Sequence, residues 1–428
     1  MEGKVLISLV GDPTNYKPAQ YNYMGESQES TFSSIIVDKM ESPTHKILIG
    51  QYTLGAERAG KERGESDFLY LQHLSERVID EKLGLNDYQK IISPGVVFGN
   101  VNEVGFNYRG EIYNFYAYTL YRLARTFEEF KGDVQVILDL SHGINYMGYL
   151  TLSAVKLVLD VYSAFRKTWL KVINSDPYPP RWNGNSRPKL NINVVSEEQI
   201  HPSFQYPTGK GCVNSINPSN YLDNESKRRV GKLIRDSAKE KSVGNLESKQ
   251  FVSSINNGTL LASYTFGEEF DRCVDFAVES FQDAVRIQST NPLEAVQEVS
   301  FTPTFQSFVI AELLSRLGSM RKRAEVSLQE LKERTCIYES HPMIYTIVNN
   351  EIHNIEEKIR NSNNQYSDWF PLSKVLGSKE TPDKRVFFAH AGLPGGFVEF
   401  RNVNEIEIRY SWDKLDTVKN FLDKTDGN

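Results

Sequence analysis

The stretch Val134-Gln-Val-Ile-Leu-Asp139-Leu-Ser-His-Gly-Ile-Asn-Tyr146 contains an apolar run followed by a polar loop, and it leads into a helical pattern over Gly148–Arg166. Its first six residues predict a buried strand, because apolar side chains occur there without the alternation of a half-exposed strand. A strand, a loop that contains glycine and a helix, in this order, are the repeating unit of an open parallel sheet. The stretch therefore predicts a Rossmann-like α/β fold around it.

The same alternation of strands and helices covers residues 1–205. Helices are predicted at Asp67–Leu83 and Glu111–Phe130, where apolar residues recur at helical spacing. Five further strands are predicted, at Val5–Val10, Ser34–Val37, Lys46–Ile49, Leu170–Ile173 and Leu190–Val195. We therefore expect residues 1–205 to form one α/β domain.

The pattern changes after this domain. Residues 206–226 are rich in Pro, Gly, Asn and Ser, which predicts a linker region. Residues 227–428 are predicted to form a mainly α-helical domain, with a small β-hairpin near residues 397–410 and a final helix at Ser411–Asp423. Its long helices are expected at Phe270–Gln288, Thr304–Arg334 and Ile344–Arg360, and no strand is expected before the hairpin.

Length and charge limit the classes of function. At 428 residues the chain is longer than one core usually supports, which agrees with two domains. The net charge of −6 argues against a surface that binds duplexes tightly without specificity, although a basic cleft can exist on an acidic body. Because Cys212, Cys273 and Cys336 form no Cys-x-x-Cys pair, neither a zinc site nor a disulfide framework is expected.

No contact with a membrane is expected. The best candidate for a span, Tyr149–Phe165, is short and contains Lys156 and Asp160. The N-terminus lacks the charged and then apolar pattern of a secretory signal, so the protein is expected to be cytoplasmic.

Two loops after predicted strands have the composition of a ligand site. Gly11–Tyr16 follows the first strand, and Asp139–Tyr146 joins a strand to a helix. Ligands of open parallel sheets bind at the carboxyl ends of strands, near the point where strand order reverses. Glycines let backbone amides approach a ligand, and Ser141, His142 and Asn145 can donate hydrogen bonds to it. The alternative is that both loops are ordinary turns; neither has a dinucleotide or P-loop motif, so the ligand stays open.

Arg385 and His390 lie on either side of an apolar stretch in the second half of the chain. An arginine can hold a phosphate, and a histidine side chain can move protons near neutral pH. On a regular helix five positions correspond to about 140°, so one copy would not place both side chains on one face. Two copies around a two-fold axis would bring two such pairs together. The pair suits RNA cleavage by the substrate's own 2′-hydroxyl, for which no metal or other cofactor is expected.

A second pair, Arg334 and His341, is expected to be structural, because such residues near the end of a long helix are commonly caps. Gly392, Gly395 and Gly396 are expected to form a turn into the hairpin rather than a phosphate cradle.

The segment Arg385-Val-Phe-Phe-Ala-His-Ala-Gly-Leu393 resembles the Arg-x-x-x-x-His signature of HEPN ribonucleases, in the form found in the CARF–HEPN effectors of type III CRISPR systems. Asp139–Tyr146 is similar to the ligand loop of their CARF domain, and Gly11–Tyr16 lies where their first ligand loop lies. The order of the domains agrees, so the resemblance covers essentially the whole chain. One departure is Val386, because many HEPN sequences have a polar residue directly after the arginine.

The resemblance implies an endoribonuclease of antiviral defence that cuts single-stranded RNA and leaves 2′,3′-cyclic phosphate ends. It implies a homodimer, or a higher oligomer built from dimers, activated by a cyclic oligoadenylate, most simply cyclic tetra-adenylate. Arg385 and His390 carry over as the catalytic residues. Asp12, Thr14, Ser141, His142, Gly143 and Asn145 carry over as ligand-binding residues, and the expected site adds Gly11, Asn15, Asp139 and Tyr146 from the same loops.

Two other classes of function stay open at this point. The first is a nucleotide-sensing regulator without catalysis, in which a CARF domain is joined to a DNA-binding module. That module requires a basic recognition helix, and Met320–Ala324 is too short for one. The second is a small-molecule α/β enzyme with a helical cap, which would act on a metabolite without His390.

Overall fold

The computed structural model describes residues 3–58, 66–101, 104–179, 186–288, 293–362, 366–378 and 383–425. Its strands are β1 (Gly3–Leu9), β2 (Ala19–Tyr23), β3 (Glu26–Ser30), β4 (His45–Gln51), β5 (Gln89–Ser93), β6 (Val97–Val101), β7 (Val104–Arg109), β8 (Val134–Asp139), β9 (Thr168–Ser175), β10 (Lys189–Ile200), β11 (Ile216–Pro218), β12 (Val285–Gln288), β13 (Leu293–Gln297), β14 (Val299–Phe301), β15 (Val326–Ser327), β16 (Tyr366–Pro371), β17 (Val398–Asn402) and β18 (Ile406–Tyr410). Its helices are α1 (Ser34–Glu41), α2 (Asp67–Leu83), α3 (Ile112–Glu128), α4 (Tyr146–Ser163), α5 (Asn224–Glu240), α6 (Lys249–Asn256), α7 (Leu260–Thr265), α8 (Phe270–Asp283), α9 (Pro303–Gly318), α10 (Leu328–Arg334), α11 (Pro342–Asn361), α12 (Leu372–Leu376), α13 (Lys384–Ala389) and α14 (Leu415–Asp423).

The chain packs into two compact units. The first unit comprises Met1–Ile200, Ser215–Lys241 and Asp275–Thr302. The second unit comprises His201–Asn214, Ser242–Val274 and Pro303–Asn428. The predicted division into residues 1–205, 206–226 and 227–428 assumed contiguous domains. The packing instead assigns α5 and the segment of β12 to β14 to the first unit, because these strands pair within it.

The first unit is a Rossmann-like α/β fold, as predicted. Its main sheet has the order β3-β2-β10-β9-β8-β1-β4-β5, and the five strands from β9 to β5 are parallel to one another. β1 is buried on both faces from Val5 onward, which explains its continuous apolar sequence. The second sheet, β12-β13-β7-β6, belongs to the same unit and had no counterpart in the sequence-based prediction.

The strand order reverses at β1. The chain moves from β1 to β4 and β5 in one direction, and then returns to β8 and β9 on the other side of β1. Because such crossovers are right-handed, α1 and α2 cover one face of the sheet and α3 and α4 cover the other. α3 and α4 indeed contact each other. The loops after β1 and β8 therefore lie side by side at the switch point, where the sequence predicted a ligand site.

The predicted strand at Ser34–Val37 is wrong, because these residues begin α1. A run of four residues cannot show whether its period is that of a strand or a helix. Tertiary contacts decide the conformation here. The hydroxyl groups of Ser33 and Ser34 each donate a hydrogen bond of 2.7 Å to the buried carboxylate of Asp139, and Ile36 and Val37 are buried.

The second unit is mainly helical and carries the small sheet β15-β18-β17-β16, so the predicted hairpin near residues 397–410 is confirmed and extended by two strands. α11 buries Val348, Ile352, Ile355 and Ile359 at a spacing of four, three and four residues. The opposite face of α11 is not part of this core and can contribute side chains to a functional site.

Two predicted helices of the second half are shorter than expected. Phe270–Gln288 divides into α8 and β12, and Thr304–Arg334 divides into α9 and α10. α9 ends at Gly318, and the next residue, Ser319, has a left-handed φ of 52° that stops the helix. The expectation of no strand before the hairpin is therefore wrong as well.

Cys212 and Cys273 form a disulfide in the second unit, which corrects the expectation of no disulfide. Their separation of 61 residues hid the pairing, since the fold alone brings their Cα atoms to 5.6 Å. Within the described ranges, no helix is long and apolar enough to cross a bilayer.

Candidate functional site

A cavity of about 380 Å³ lies in the first unit at the switch point of the sheet. It is open beside the loop after β1, from which Gly11, Asp12 and Thr14 line it. The loop after β8 and the start of α4 contribute only the apolar side chains of Ile144 and Met147. The two predicted loops therefore meet here. The loop after β1 brings polar groups to the cavity, and the loop after β8 brings apolar side chains.

The loop after β1 is held by Asp12. Its carboxylate accepts hydrogen bonds from the backbone N–H of Thr14 (3.0 Å), the hydroxyl of Thr14 (2.6 Å) and the amide of Asn15 (2.5 Å). Pro13 begins a short 3₁₀ turn that this cap supports. Asp12, Thr14 and Asn15 are all exposed, so they remain accessible to a ligand.

The loop after β8 is organised by Asp139, which is buried. Besides Ser33 and Ser34, its carboxylate accepts hydrogen bonds from the backbone N–H of Ser141 (3.0 Å) and from the hydroxyl of Ser141 (2.5 Å). The hydroxyl of Ser141 also accepts from the backbone N–H of Ser175 at 2.9 Å. Asp139 and Ser141 therefore connect the sheet to α1 and β9, and their hydrogen-bonding groups point into the fold.

His142, in the same loop, is held by a hydrogen bond and by aromatic rings. Its Nε2 lies 3.1 Å from the backbone N–H of Ser33, which donates to it, so the ring is neutral with its proton on Nδ1. The ring lies against Tyr16 and Phe32, with centroid distances of 4.5 and 4.9 Å. Burial lowers the pKa of His142, although the nearby charge of Asp139 opposes this shift. His142 is thus a packing residue of the loop in this structure.

Glycines let the two loops approach each other. A Cβ atom on Gly11 would come within 2.7 Å of the carbonyl oxygen of His142, and a Cβ atom on Gly143 would come within 2.5 Å of a methyl group of Leu9. The backbone N–H of Gly11 donates to the same His142 carbonyl at 2.8 Å. Both glycines are therefore needed for loop packing, whether or not a ligand is present.

The remaining predicted residues lie at the start of α4. Asn145 is exposed and has an unusual φ of 29°, and the hydroxyl of Tyr146 accepts a 2.7 Å hydrogen bond from the amide of Gln51. Neither residue lines the cavity. Of the ten predicted ligand-binding residues, the structure thus brings three to the cavity wall and uses several of the others to build the loops.

Sequence reasoning missed Gln51, Thr53 and Lys82, which also line the cavity. Gln51 is the last residue of β4, the strand beside β1, and Thr53 follows it, so the rule about the carboxyl ends of strands could have found both. Lys82 lies in the last turn of α2, and no local motif distinguishes it from other surface lysines. Among the described residues that line this cavity, it is the one lysine or arginine.

In the second unit, Arg385 and His390 lie at the two ends of the short helix α13. Asp383 caps this helix by accepting a 2.9 Å hydrogen bond from the backbone N–H of Val386. Phe387 is buried, and its ring faces those of Phe397, Tyr410 and Phe421. Phe387 therefore anchors the helix in the core.

The turn after α13 fixes the position of His390. Ala391 and Gly392 both have a positive φ, of 49° and 75°. A Cβ atom on Gly392 would come within 2.8 Å of Thr259, and the carbonyl of Gly392 accepts a 2.8 Å hydrogen bond from the hydroxyl of Tyr410. Gly392 is thus part of a tight turn toward the hairpin, as predicted, and the turn leaves His390 about half exposed at 47%.

His390 has an acidic partner that the sequence did not reveal. Its Nδ1 lies 3.1 Å from the Oε1 atom of Glu351 in α11. Both residues line a cavity of about 510 Å³, together with Val386 of α13. The distance of 34 positions between Glu351 and Arg385 gives no motif, so only the fold could bring this carboxylate to the histidine.

Arg385 is exposed on α13 and does not line the cavity beside His390. Within the described part of the chain, no ion pair engages its guanidinium. This agrees with the expected divergence of the two side chains around one helix. One copy of the chain therefore presents Arg385 and His390 to solvent without joining them in one cleft.

The rival pair is structural, as predicted, but its role differs from the expected one. His341 is the N-cap of α11, because its Nδ1 accepts from the backbone N–H of Ile344 at 3.4 Å. The sequence had placed it at the end of a helix. Arg334 is the last residue of α10, and its Nε is enclosed by protein.

Comparisons with known proteins give family matches in both halves of the chain. Residues 5–177 match the family model described as "CRISPR system endoribonuclease Csx1, CARF domain", and residues 341–413 match the one described as "CRISPR system endoribonuclease Csx1, HEPN domain". The chain is 27% identical over 453 aligned residues to the CRISPR system endoribonuclease Csx1 of Methanocaldococcus jannaschii, with 99% of this chain and 93% of the relative covered. The first match contains the cavity loops, and the second contains Glu351, Arg385 and His390.

Proposed function

Because the chain belongs to the CARF–HEPN family of CRISPR-associated ribonucleases, we propose that it cuts single-stranded RNA without a metal ion, using Arg385 and His390. A cyclic oligoadenylate, with cyclic tetra-adenylate as the expected ring, binds the cavity of the CARF unit and activates the cut. The active form is a homodimer or an assembly of dimers. The cellular role is antiviral defence in a type III CRISPR system.

The arrangement of His390 carries this proposal. With Glu351 ionised, the Nδ1–H group of His390 donates to its Oε1 atom across 3.1 Å, which leaves the lone pair on Nε2. No described residue forms a hydrogen bond with the Nε2 atom of His390. A histidine held by a carboxylate at one nitrogen and open at the other is suited to general base catalysis.

The reaction follows from this geometry. His390 takes the proton of the substrate's 2′-hydroxyl, the 2′-oxygen forms a bond to phosphorus, and the bond from phosphorus to the 5′-oxygen breaks. The leaving 5′-oxygen receives a proton from a protonated histidine or from water, and the other product carries a 2′,3′-cyclic phosphate. The guanidinium of Arg385 stabilises the negative charge that develops on the phosphate oxygens.

A second copy of the chain completes the site. Because Arg385 does not line the cavity of His390 in one copy, two copies of α13 around a two-fold axis are expected to offer both groups to one phosphate. The second histidine of this pair is then available to protonate the leaving oxygen.

The cavity of the CARF unit has groups suited to an adenylate. Lys82 offers a positive charge to a phosphate. The hydroxyls of Thr14 and Thr53 donate to Asp12 and Gln51, so their oxygens can accept hydrogen bonds from a ribose or a base. Ile144 and Phe106 provide an apolar surface for a base. A cavity of about 380 Å³ is small for a ring of four nucleotides, so two copies are expected to share one ring.

The test is cleavage of a labelled single-stranded RNA in EDTA, with cyclic tetra-adenylate present. Wild type is expected to cut, and His390→Ala is expected to lose about a thousandfold or more in rate. His353→Ala is the matched control, because His353 is an exposed histidine of α11 that does not line the cavity. It should retain the wild-type rate, and all three proteins should have the same melting temperature.

Other results would change the assignment. If wild type binds cyclic tetra-adenylate and cuts no RNA, the protein is a nucleotide-sensing regulator without catalysis. If EDTA abolishes cleavage, the metal-independent mechanism is wrong. If His390→Ala cuts as fast as His353→Ala, His390 does not act in the reaction.

A further inference from the structure

The cavity beside His390 extends well beyond the reacting groups. One wall is formed by Glu351, Asn354 and Lys358, whose spacing of three and four residues places them on one face of α11. The other wall includes Val386 and Leu393 from α13 and the turn that follows it. Its volume of about 510 Å³ lies within the range of about 300–1,000 Å³ that is common for small-ligand sites.

Two polar groups of this cavity are available to a ligand. Asn354 and Lys358 are both exposed, and within the described ranges no hydrogen bond or ion pair engages either side chain. On the neighbouring face of the same helix, by contrast, Glu356 forms ion pairs with Lys332 and Arg360. The charges of α11 are thus mutually neutralised on one side, and an open amide and an open ammonium group face the cavity on the other.

The apolar part of the cavity includes Val386. This side chain is 37% exposed. It lies in the cavity wall with Leu393 and Pro394. An apolar wall next to an amide and a cation suits a nucleotide, whose base has a flat apolar face, a hydrogen-bonding edge and an adjoining phosphate.

We propose that this cavity is a nucleotide subsite, which holds the base of the RNA residue next to the cut. Val386 packs against the face of the base, Asn354 forms hydrogen bonds with its edge, and Lys358 pairs with the neighbouring phosphate. The amide of Asn354 both donates and accepts, so it selects among bases. The subsite rests on the proposed function, because it supposes that RNA is cut beside His390.

The experiment maps cut positions in a pool of randomised single-stranded RNA, with cyclic tetra-adenylate present. Wild type is expected to favour one base at a fixed position beside the cut. Asn354→Ala should weaken this preference about tenfold while it still cuts RNA. Asn350→Ala is the matched control, because Asn350 is exposed on the same helix but does not line the cavity. It should keep the wild-type preference.

Lys358→Gln tests the phosphate contact separately. It should raise KM several-fold and leave the base preference unchanged. The slope of log kcat/KM against log salt concentration should become shallower by roughly one, as expected when one phosphate contact is lost. Lys232→Gln, which changes an exposed lysine of α5, should alter none of these values.

Three outcomes overturn the proposal. The subsite is wrong, while the ribonuclease assignment stands, if wild type cuts RNA and Asn354→Ala keeps its base preference. The cavity is a contact between copies of the chain if Asn354→Ala or Lys358→Gln lowers the mass measured by light scattering below that of wild type. If wild type cuts no RNA at all, the proposed function fails, and the subsite fails with it.

Discussion

His142 follows β8 in the CARF unit, and His390 follows α13 in the HEPN unit; the two histidines differ in what surrounds them. The Nε2 atom of His142 accepts a backbone hydrogen bond, and its ring packs against two aromatic rings. His390 is about half exposed, and its Nδ1 faces the carboxylate of Glu351. The comparison teaches that a motif can select a histidine, whereas burial and hydrogen-bond partners decide whether it supports the fold or the reaction.

The largest effect on stability is expected from a substitution of Asp139, which organises the loop that contains His142. Asp139→Ala should lower the free energy of unfolding of the CARF unit by about 3 kcal/mol, because it leaves buried donors of Ser33, Ser34 and Ser141 without an acceptor. Denaturant titration of the full chain measures this loss. Asp176→Ala is the control, because that carboxylate also accepts several hydrogen bonds but lies at the surface.

A loss of about 1 kcal/mol or less is expected for Asp176→Ala. Equal losses in the two variants would show that burial does not distinguish the loop after β8. The distinction between the two histidines would then lose its physical basis.

A smaller effect is expected for the partner of His390. Glu351→Gln should lower kcat about tenfold with little change in KM, because the neutral amide oxygen still accepts a hydrogen bond from Nδ1 but orients the ring less firmly than the carboxylate does. Glu351→Ala should lose more, up to about a hundredfold. RNA cleavage at several substrate concentrations separates kcat from KM.

Glu357→Gln removes an exposed charge from the same helix, outside the cavity, and should leave both constants unchanged. If Glu351→Gln instead raises KM and keeps kcat, Glu351 binds substrate and does not position His390.

The smallest effect is a dependence of stability on pH that comes from His142. Its pKa is lowered in the folded protein, so the unfolded chain binds more protons, and its contribution to stability is present above the unfolded pKa of about 6.5. This contribution is lost as pH falls below that value. The melting temperature of His142→Gln should therefore change less than that of wild type between pH 7.5 and 5.0. An identical slope would show that His142 is not held neutral.

The sequence was sufficient for the elements that depend on local pattern. α2 is correct at both ends, because Ser66 caps its start and Gly84, with a φ of 65°, ends it. The order of strands and helices also gave the position of the ligand cavity. The disulfide between Cys212 and Cys273 was missed, because no local signal shows which distant residues the fold brings together.

The sequence likewise identified the site residues that lie in one local segment and missed those that the fold brings in from elsewhere. Arg385 and His390 lie in one short segment, so a motif could identify them. Glu351 and Lys82 come from other helices, and only tertiary structure places them beside His390 and in the cavity at the switch point of the sheet. Conversely, Asp139 was predicted to bind the ligand, yet it is buried among hydroxyl donors, because a motif does not show which way a side chain points.

The central claim is that a ligand in the CARF cavity controls the cut at His390. The most direct measurement is the rate of RNA cleavage as a function of cyclic tetra-adenylate concentration for wild type, Lys82→Gln and the control Lys39→Gln, which changes an exposed lysine outside the cavity. We expect wild type and the control to be inactive without the ligand and to respond alike, and Lys82→Gln to need roughly tenfold more ligand for the same maximal rate. A cleavage rate that does not change with the ligand, or the same response in all three proteins, would contradict the account.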